Sequence, residues 1–266
     1  RLRAQRYDLA VQVSGGSTSG FIVTRLIGAR YSMGSRKGHQ RWYSIEAEGK
    51  SSHAYDAIVN LTRPLGVDCR NRPLLQLTEQ ERNQAMTKIQ QLVSLHSDHP
   101  SDTNFIAIFV GGHQNKRWPL AFWLLLIDAM EASKIRYVVF LGPEEFRLLA
   151  PIEQRLMSSL YGSLCPPLPI RHFAAILEQA RLLVTPDSGP MHLAAALDVA
   201  TISLVRQKKS LAFVPREAYD TTLWCPEIST VIDAISANLD GQNATAPVQL
   251  ASATNQPTQW VRTPPS

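Results

Sequence analysis

The chain has 266 residues, enough for two α/β domains or one large one. Hydrophobic residues make up 44% and charged residues 18%, the balance of a soluble globular protein, which excludes a chain that is disordered throughout. Lys and Arg outnumber Asp and Glu by 27 to 22, a formal charge of +5, which favours an anionic partner or a mildly basic solvated surface.

Residues 1–5 finish a helix, and 7–13 alternate as a strand does. Ser14-Gly15-Gly16-Ser17 follows that strand as phosphate loops do, but lacks the dinucleotide fingerprint and the P-loop lysine, so it reads as a connection or an acceptor-side loop. A helix over 21–27 stops at Gly28, and 29–34 form a short strand and turn. The polar stretch 35–52, with Trp42 and Tyr43, has no period and reads as irregular. Its basic residues Arg36, Lys37, Arg41 and Lys50 either meet an anion or form a solvated face. Residues 53–65 make a helix with Tyr55, Ile58, Val59 and Leu61 on the apolar face, and His53 reads as a surface or capping residue. After an extended linker at 68–77, residues 78–95 form an amphipathic helix whose Thr78 and Glu81 match a capping box. The polar loop 97–104 marks the domain boundary.

The second half opens on an apolar strand at 105–110, followed by Gly111-Gly112 and then Lys116. Lys116 is either a surface lysine or a positive charge closing a glycine-rich loop at a strand's carboxyl end. Pro119 starts a helix over 120–132. Another strand at 137–141 runs into Gly142-Pro143-Glu144-Glu145, where acids suit the start of a helix. A helix over 172–180 leads to the stretch that organises the chain, 182–204. There Leu182, Leu183 and Val184 form a buried strand, 186–189 a tight turn, Pro190 falls in the first turn of a helix whose good formers are Leu193 to Leu197, and 200–204 form a returning strand. Asp187 or Ser188 can cap that helix. Its free N–H groups, from Gly189, Met191 and His192, suit a diphosphate. Asp187 would repel phosphate and is better placed to accept hydrogen bonds from sugar hydroxyls; the plainer alternative is that it only caps the helix and that His192 is a core residue. Asp198 stands at the helix end and tolerates a left-handed conformation. Arg206, Lys208 and Lys209 either reach a ligand or are simply exposed. A last helix covers 229–239, and the Ala/Thr/Gln/Pro-rich 241–266 reads as a disordered tail.

Cys69, Cys165 and Cys225 form no Cys-x-x-Cys pair, so neither a zinc site nor a disulfide framework is expected. There is no Asp-x-Asp and no His/Cys cluster at ligand spacing, so no metal and no cofactor is expected. No nucleic-acid motif accompanies the basic charge, no signal peptide starts at Arg1, and the apolar run 118–127 is too short to span a bilayer. A cytoplasmic protein is the simplest setting.

The run Asp187-Ser188-Gly189-Pro190-Met191-His192-Leu193-Ala194-Ala195-Ala196 resembles the signature of the ADP-heptose:lipopolysaccharide heptosyltransferases, glycosyltransferase family nine. Lys116-Arg117-Trp118-Pro119 is similar to the family's Lys-x-Trp-Pro. Arg6-Tyr7-Asp8-Leu9-Ala10-Val11, followed by Gly28-Ala29-Arg30 and Gly34, is a third likeness. The resemblance implies an α/β fold in the GT-B arrangement of two Rossmann-like domains. An incomplete N-terminal domain at 1–101 would hold the acceptor, and 102–240 would bind the nucleotide sugar. It implies inverting transfer of heptose from ADP-heptose to an anionic lipopolysaccharide core acceptor, at or near the inner face of the cytoplasmic membrane. Lys116 and Asp187 would be catalytic. Gly111, Gly112, Glu144, Glu145, Ser188, Gly189, Met191 and His192 would join Asp187 in donor binding, with an acid at 144 or 145 on the ribose. The family's general base, an aspartate after the first strand, matches no position, so residues 1–266 alone are expected to bind ADP but transfer sugar poorly. The alternative is a non-catalytic, degenerate nucleotide-sugar-binding protein.

Overall fold

A computed structural model describes residues 2–13, 17–35, 42–47, 51–93 and 104–241. The Ser14-Gly15-Gly16 loop, the basic residues Arg36, Lys37, Arg41 and Lys50, most of the polar loop at 97–104, and the tail from 242 onward lie outside the described residues. The chain divides into two compact units, Arg1–Leu75 with Lys208–Phe213, and Gln76–Gln207 with Val214–Ser266.

The first unit holds a three-stranded parallel sheet of β1 (Leu9–Val11), β2 (Tyr31–Ser35) and β3 (Ile45–Ala47), in that order. Between β1 and β2 runs α1 (Thr18–Leu26), where the Ser17 hydroxyl caps the helix by accepting the Gly20 N–H at 3.1 Å. Helix α2 (Ala54–Thr62) is capped by His53, whose Nδ1 accepts the Tyr55 N–H at 3.2 Å; His53 is buried, so it is a cap and not a surface residue. Strand β3 lies inside the stretch read as irregular. Three residues carry no visible period, and β3 exists because Gly34 and Met33 of β2 offer it a pairing edge. Tyr43 lies over Gly34, where a Cβ would stand 2.5 Å from the ring, and its hydroxyl donates to Gln12. Met33, Ala47 and Leu61 form the small core.

The second unit carries a six-stranded, all-parallel sheet. Its strands are β4 (Ile106–Phe109), β5 (Tyr137–Phe140), β6 (Gly162–Cys165), β7 (Leu182–Pro186), β8 (Thr201–Val205) and β9 (Thr221–Trp224). They lie in the order β6-β5-β4-β7-β8-β9. Counted from β4, that is the 3-2-1-4-5-6 order of a doubly wound Rossmann sheet. Every residue of β4, β5, β7 and β8 is buried, because helices cover both faces. The helices are α3 (Glu79–Val93), α4 (Leu120–Ala132), α5 (Phe146–Leu156), α6 (Ile170–Leu177), α7 (Gly189–Ala196) and α8 (Ile228–Leu239). Trp123, Leu126, Ile127 and Met130 of α4 are buried in one cluster with Ile108, Val139, Val184 and Ile202 of the sheet.

Two strands, β6 and β9, went unread in the sequence. In β6 the first residue is glycine because the Tyr137 ring occupies its side-chain space, 2.1 Å from a Cβ, and that glycine hides the strand pattern. The division between units also falls earlier than the polar loop at 97–104 suggested. Helix α3 packs on α6. Arg82 Nε lies 2.8 Å from Glu178 Oε2, Arg171 pairs with Glu81, and the Ser163 hydroxyl donates to Leu92 O. Those contacts place α3 in the second unit, after a boundary at Leu75. No helix among the described residues is long and apolar enough to cross a membrane.

Candidate donor site at the sheet's switch point

Strands β4 and β7 are neighbours, and the chain leaves them in opposite directions: β4 leads to β5 on one side and β7 to β8 on the other. Connections therefore diverge there and leave a crevice beyond the strands' carboxyl ends, the place where open α/β sheets bind ligands. The loop after β4 carries Gly111, Gly112 and Lys116, and the turn after β7 carries Asp187. Lys116 closes a 3-10 turn, its N–H donating to His113 O at 2.9 Å, and its Nζ reaches 2.7 Å from Asp187 Oδ2. The Asp187 side chain is 6% exposed and that of Lys116 31%. Among the described residues Oδ2 receives no aligned hydrogen bond, so this contact is one of charge. Neutralising a buried carboxylate in this way avoids most of the penalty of an unpaired charge.

The glycine loop is shaped by Glu145. Glu145 is buried, and its Oε1 accepts the Gly112 N–H at 3.2 Å. A Cβ on Gly111 would stand 2.4 Å from the Phe109 ring and 2.9 Å from the Glu145 carboxyl carbon; one on Gly142 would stand 2.5 Å from Glu145 Oε2. Gly112 has φ +148°, a conformation that favours glycine. Arg117 binds the same group: its Nε donates to Gly112 O, and its Nη2 lies 3.6 Å from Glu145 Oε1 and 3.3 Å from Glu144 Oε2. Glu144 is exposed; Pro143–Glu145 is a 3-10 turn that runs directly into α5, with Glu145 at the N-cap position of that helix but making no side-chain cap bond. Glu145 thus faces inward, onto the glycines.

Helix α7 begins at Gly189, four residues before the helix formers from Leu193 onward. Ser188 is its N-cap by backbone conformation, but the Ser188 hydroxyl lies 3.0 Å from the Thr185 hydroxyl and caps nothing. Asp187 is not the cap. Gly189 is exposed, and among the described residues beyond its chain neighbours and its own helix backbone nothing stands within 4 Å of where a Cβ would be, so the helix start is open to approach. Met191 is fully buried and its N–H donates to Ser188 O at 3.2 Å, so its backbone donor is already engaged. His192 is partly buried on the same helix. At the far end Asp198 has φ +62°, and its Oδ1 accepts the Tyr219 hydroxyl at 3.0 Å.

Sequence reasoning left Arg117 and Gln207 without a role and Arg206 undecided. Arg206 Nη1 donates to Arg117 O at 2.6 Å and its guanidinium lies 5.3 Å from the Trp118 ring centroid; Gln207 Nε2 donates to Asn115 O at 3.1 Å. The one signal that could have found Arg206 and Gln207 is their place directly after β8, and for Arg117 its place beside Lys116 in the loop after β4.

Residues 1–233 match the model of glycosyltransferase family 9 (heptosyltransferase), and the chain belongs to that family. Lipopolysaccharide heptosyltransferase 3 of Escherichia coli is 26% identical over 215 residues, 76% of this chain and 60% of its own length. Lipopolysaccharide heptosyltransferase 1 of E. coli strain K12 is 25% identical over 217 residues, 76% of this chain and 62% of its own. The chain therefore spans less than two thirds of the length of these curated relatives. Among solved structures, a family 9 glycosyl transferase from Veillonella parvula DSM 2008 superposes with a TM-score of 0.66 at 18% identity, covering 90% of this chain and 78% of that one. The E. coli heptosyltransferase WaaC with ADP gives 0.61 at 19%, covering 91% and 76%. The fold is the α/β fold of parallel sheets seen in these family 9 structures.

Proposed function

We propose that the protein is an inverting glycosyltransferase that binds a nucleoside-diphosphate sugar at the switch point of its second unit. The observation that carries this reading is the meeting of Lys116 and Asp187, 2.7 Å apart, beside the open start of α7. A sugar diphosphate needs two unlike things at one place: positive charge for its leaving group and acceptors for its hydroxyls. Lys116 and the Gly189 end of α7 supply the first, while the Gly112 N–H is taken by Glu145. Asp187 supplies the second. In the reaction an acceptor hydroxyl attacks the anomeric carbon, the bond from that carbon to the diphosphate oxygen breaks, the nucleoside diphosphate departs with the electron pair, and the hydroxyl proton goes to a base.

The donor we infer is ADP-heptose. A related E. coli heptosyltransferase has been solved with ADP-2-deoxy-2-fluoro heptose, and the curated relatives are lipopolysaccharide heptosyltransferases. The acceptor is an anionic lipopolysaccharide core, in keeping with the charge of +5, met by peripheral contact at the inner face of the cytoplasmic membrane. The protein is incubated with ADP-heptose and deacylated lipopolysaccharide core, and products are weighed by mass spectrometry. A core heavier by one heptose, with release of ADP, supports the reading. ADP binding with little transfer is the outcome expected where no residue matches the family's general base, and absence of ADP binding would overturn the reading.

A further inference from the structure

We propose that Arg206 is a positioning residue, which sets Lys116 against Asp187 from the far side of β7. Residues on both sides of Lys116 are held by the segment that leaves β8. Gln207 Nε2 binds the carbonyl of Asn115, and Arg206 Nη1 binds the carbonyl of Arg117. Strand β7 lies between β4 and β8, so the two bonds arch over the strand end that carries Asp187. Trp118, next in the chain, is held by its ring faces: Phe122 lies 4.3 Å away between centroids and the Arg206 guanidinium 5.3 Å, whereas its buried indole N–H donates to nothing among the described residues. A planar guanidinium can serve a carbonyl and a ring face together, which an ammonium does less well. Arg206 is thereby engaged by the loop, and its part in phosphate binding is indirect. For its catalytic consequence this role rests on the donor-site reading above; the contacts themselves do not.

The test has one arm without ligand and one with ADP, both on the full chain. In the first, lysines are acylated in wild type, Arg206→Met and Arg206→Lys, and modification is followed residue by residue by mass spectrometry. Lys116 should react several-fold faster in Arg206→Met, Lys88 and Lys134 at the wild-type rate, and Arg206→Lys should fall between. An unchanged Lys116 rate overturns the proposal. So does a rise at all three lysines in both variants, which would make Arg206 a general stabiliser of the fold. In the second arm, Arg206→Met should weaken ADP binding about tenfold in the wild-type background and leave it unchanged in the Lys116→Met background, because the charge-assisted bond acts through Lys116. Equal losses in both backgrounds would mean direct contact or general damage, and would overturn it. Wild type that binds no ADP removes the donor-site reading, while the acylation arm still decides the positioning role.

Discussion

Asp187 shows most clearly what one residue contributes. Lys116 is its close counter-charge, so removing the lysine leaves a buried carboxylate without an ion pair among the described residues. Lys116→Met should lose about 1–3 kcal/mol of stability in denaturant melts, and Lys116→Met with Asp187→Asn should recover most of it. If the double variant is no more stable than Lys116→Met, the pair is not coupled. Asp187→Asn alone releases Lys116, so ADP should bind at least as tightly as to wild type, while turnover of the sugar donor falls at least about tenfold from the lost charge-assisted bond to a hydroxyl. ADP affinity that drops together with turnover would show that Asp187 serves the diphosphate and not the sugar. Both residues were legible in the sequence, because Lys116 and Asp187 sit in runs with strong turn signals after apolar strands. Their mutual contact was not, since it needs β4 and β7 to be neighbours across 71 residues of chain, counted from Lys116 to Asp187. The glycine loop was legible as glycines but not by cause. The cause is a buried carboxylate 33 positions along the chain from Gly112. Gly111→Ala, which drives a Cβ into Phe109 and Glu145, should destabilise by about 1–3 kcal/mol in thermal melts; a neutral effect would mean that Glu145 can move aside.

Elements with strong local chemistry read well. The capping box of α3 is present as expected: Thr78 N–H donates to Glu81 Oε2 at 2.8 Å and the Glu81 N–H to the Thr78 hydroxyl at 3.3 Å. Helix α4 starts after Pro119, and α2 passes through a 3-10 turn to Gly66 at φ +67°. What did not read was what each element packs on. Glu81 also accepts from Arg171, which begins the contact that ties α3 to α6, and nothing local to 78–95 announces that partner. Hydrogen bonds from Arg171, then from the Thr78 backbone, hold the Glu81 carboxyl at about 2, below its ordinary 4.5. A depressed folded pKa means that the charged form is favoured on folding. The contribution is therefore full above pH 4.5 and fades as pH falls toward about 2. The difference in Tm between wild type and Glu81→Gln should be constant from about pH 7 to pH 5 and narrow by about pH 3. A difference that persists unchanged at the lower pH would contradict this. Strands β3, β6 and β9 lay below the reach of pattern, because three or four residues show no period and their pairing comes from neighbours already in the sheet.

For the whole molecule, the proposed donor site rests on the sheet order more than on any motif. The 3-2-1-4-5-6 order puts one crevice at β4 and β7, and the loop after β4, the turn after β7 and the segment after β8 all converge there. Of these, the βαβ unit ending in β8 was evident from its apolar runs, and the fold class followed from the family resemblance of the run 187–196. The boundary between units was not evident, since a polar loop marks a surface connection whether or not the chain changes domain there. The central claim is that Lys116 meets the diphosphate of a nucleotide sugar at this crevice. Calorimetric titration of ADP into wild type and Lys116→Met over a series of salt concentrations tests it directly. Wild type should bind ADP with an affinity that falls as salt rises, and Lys116→Met should bind more weakly with a shallower dependence. Superimposable curves for the two proteins at every salt concentration would contradict it.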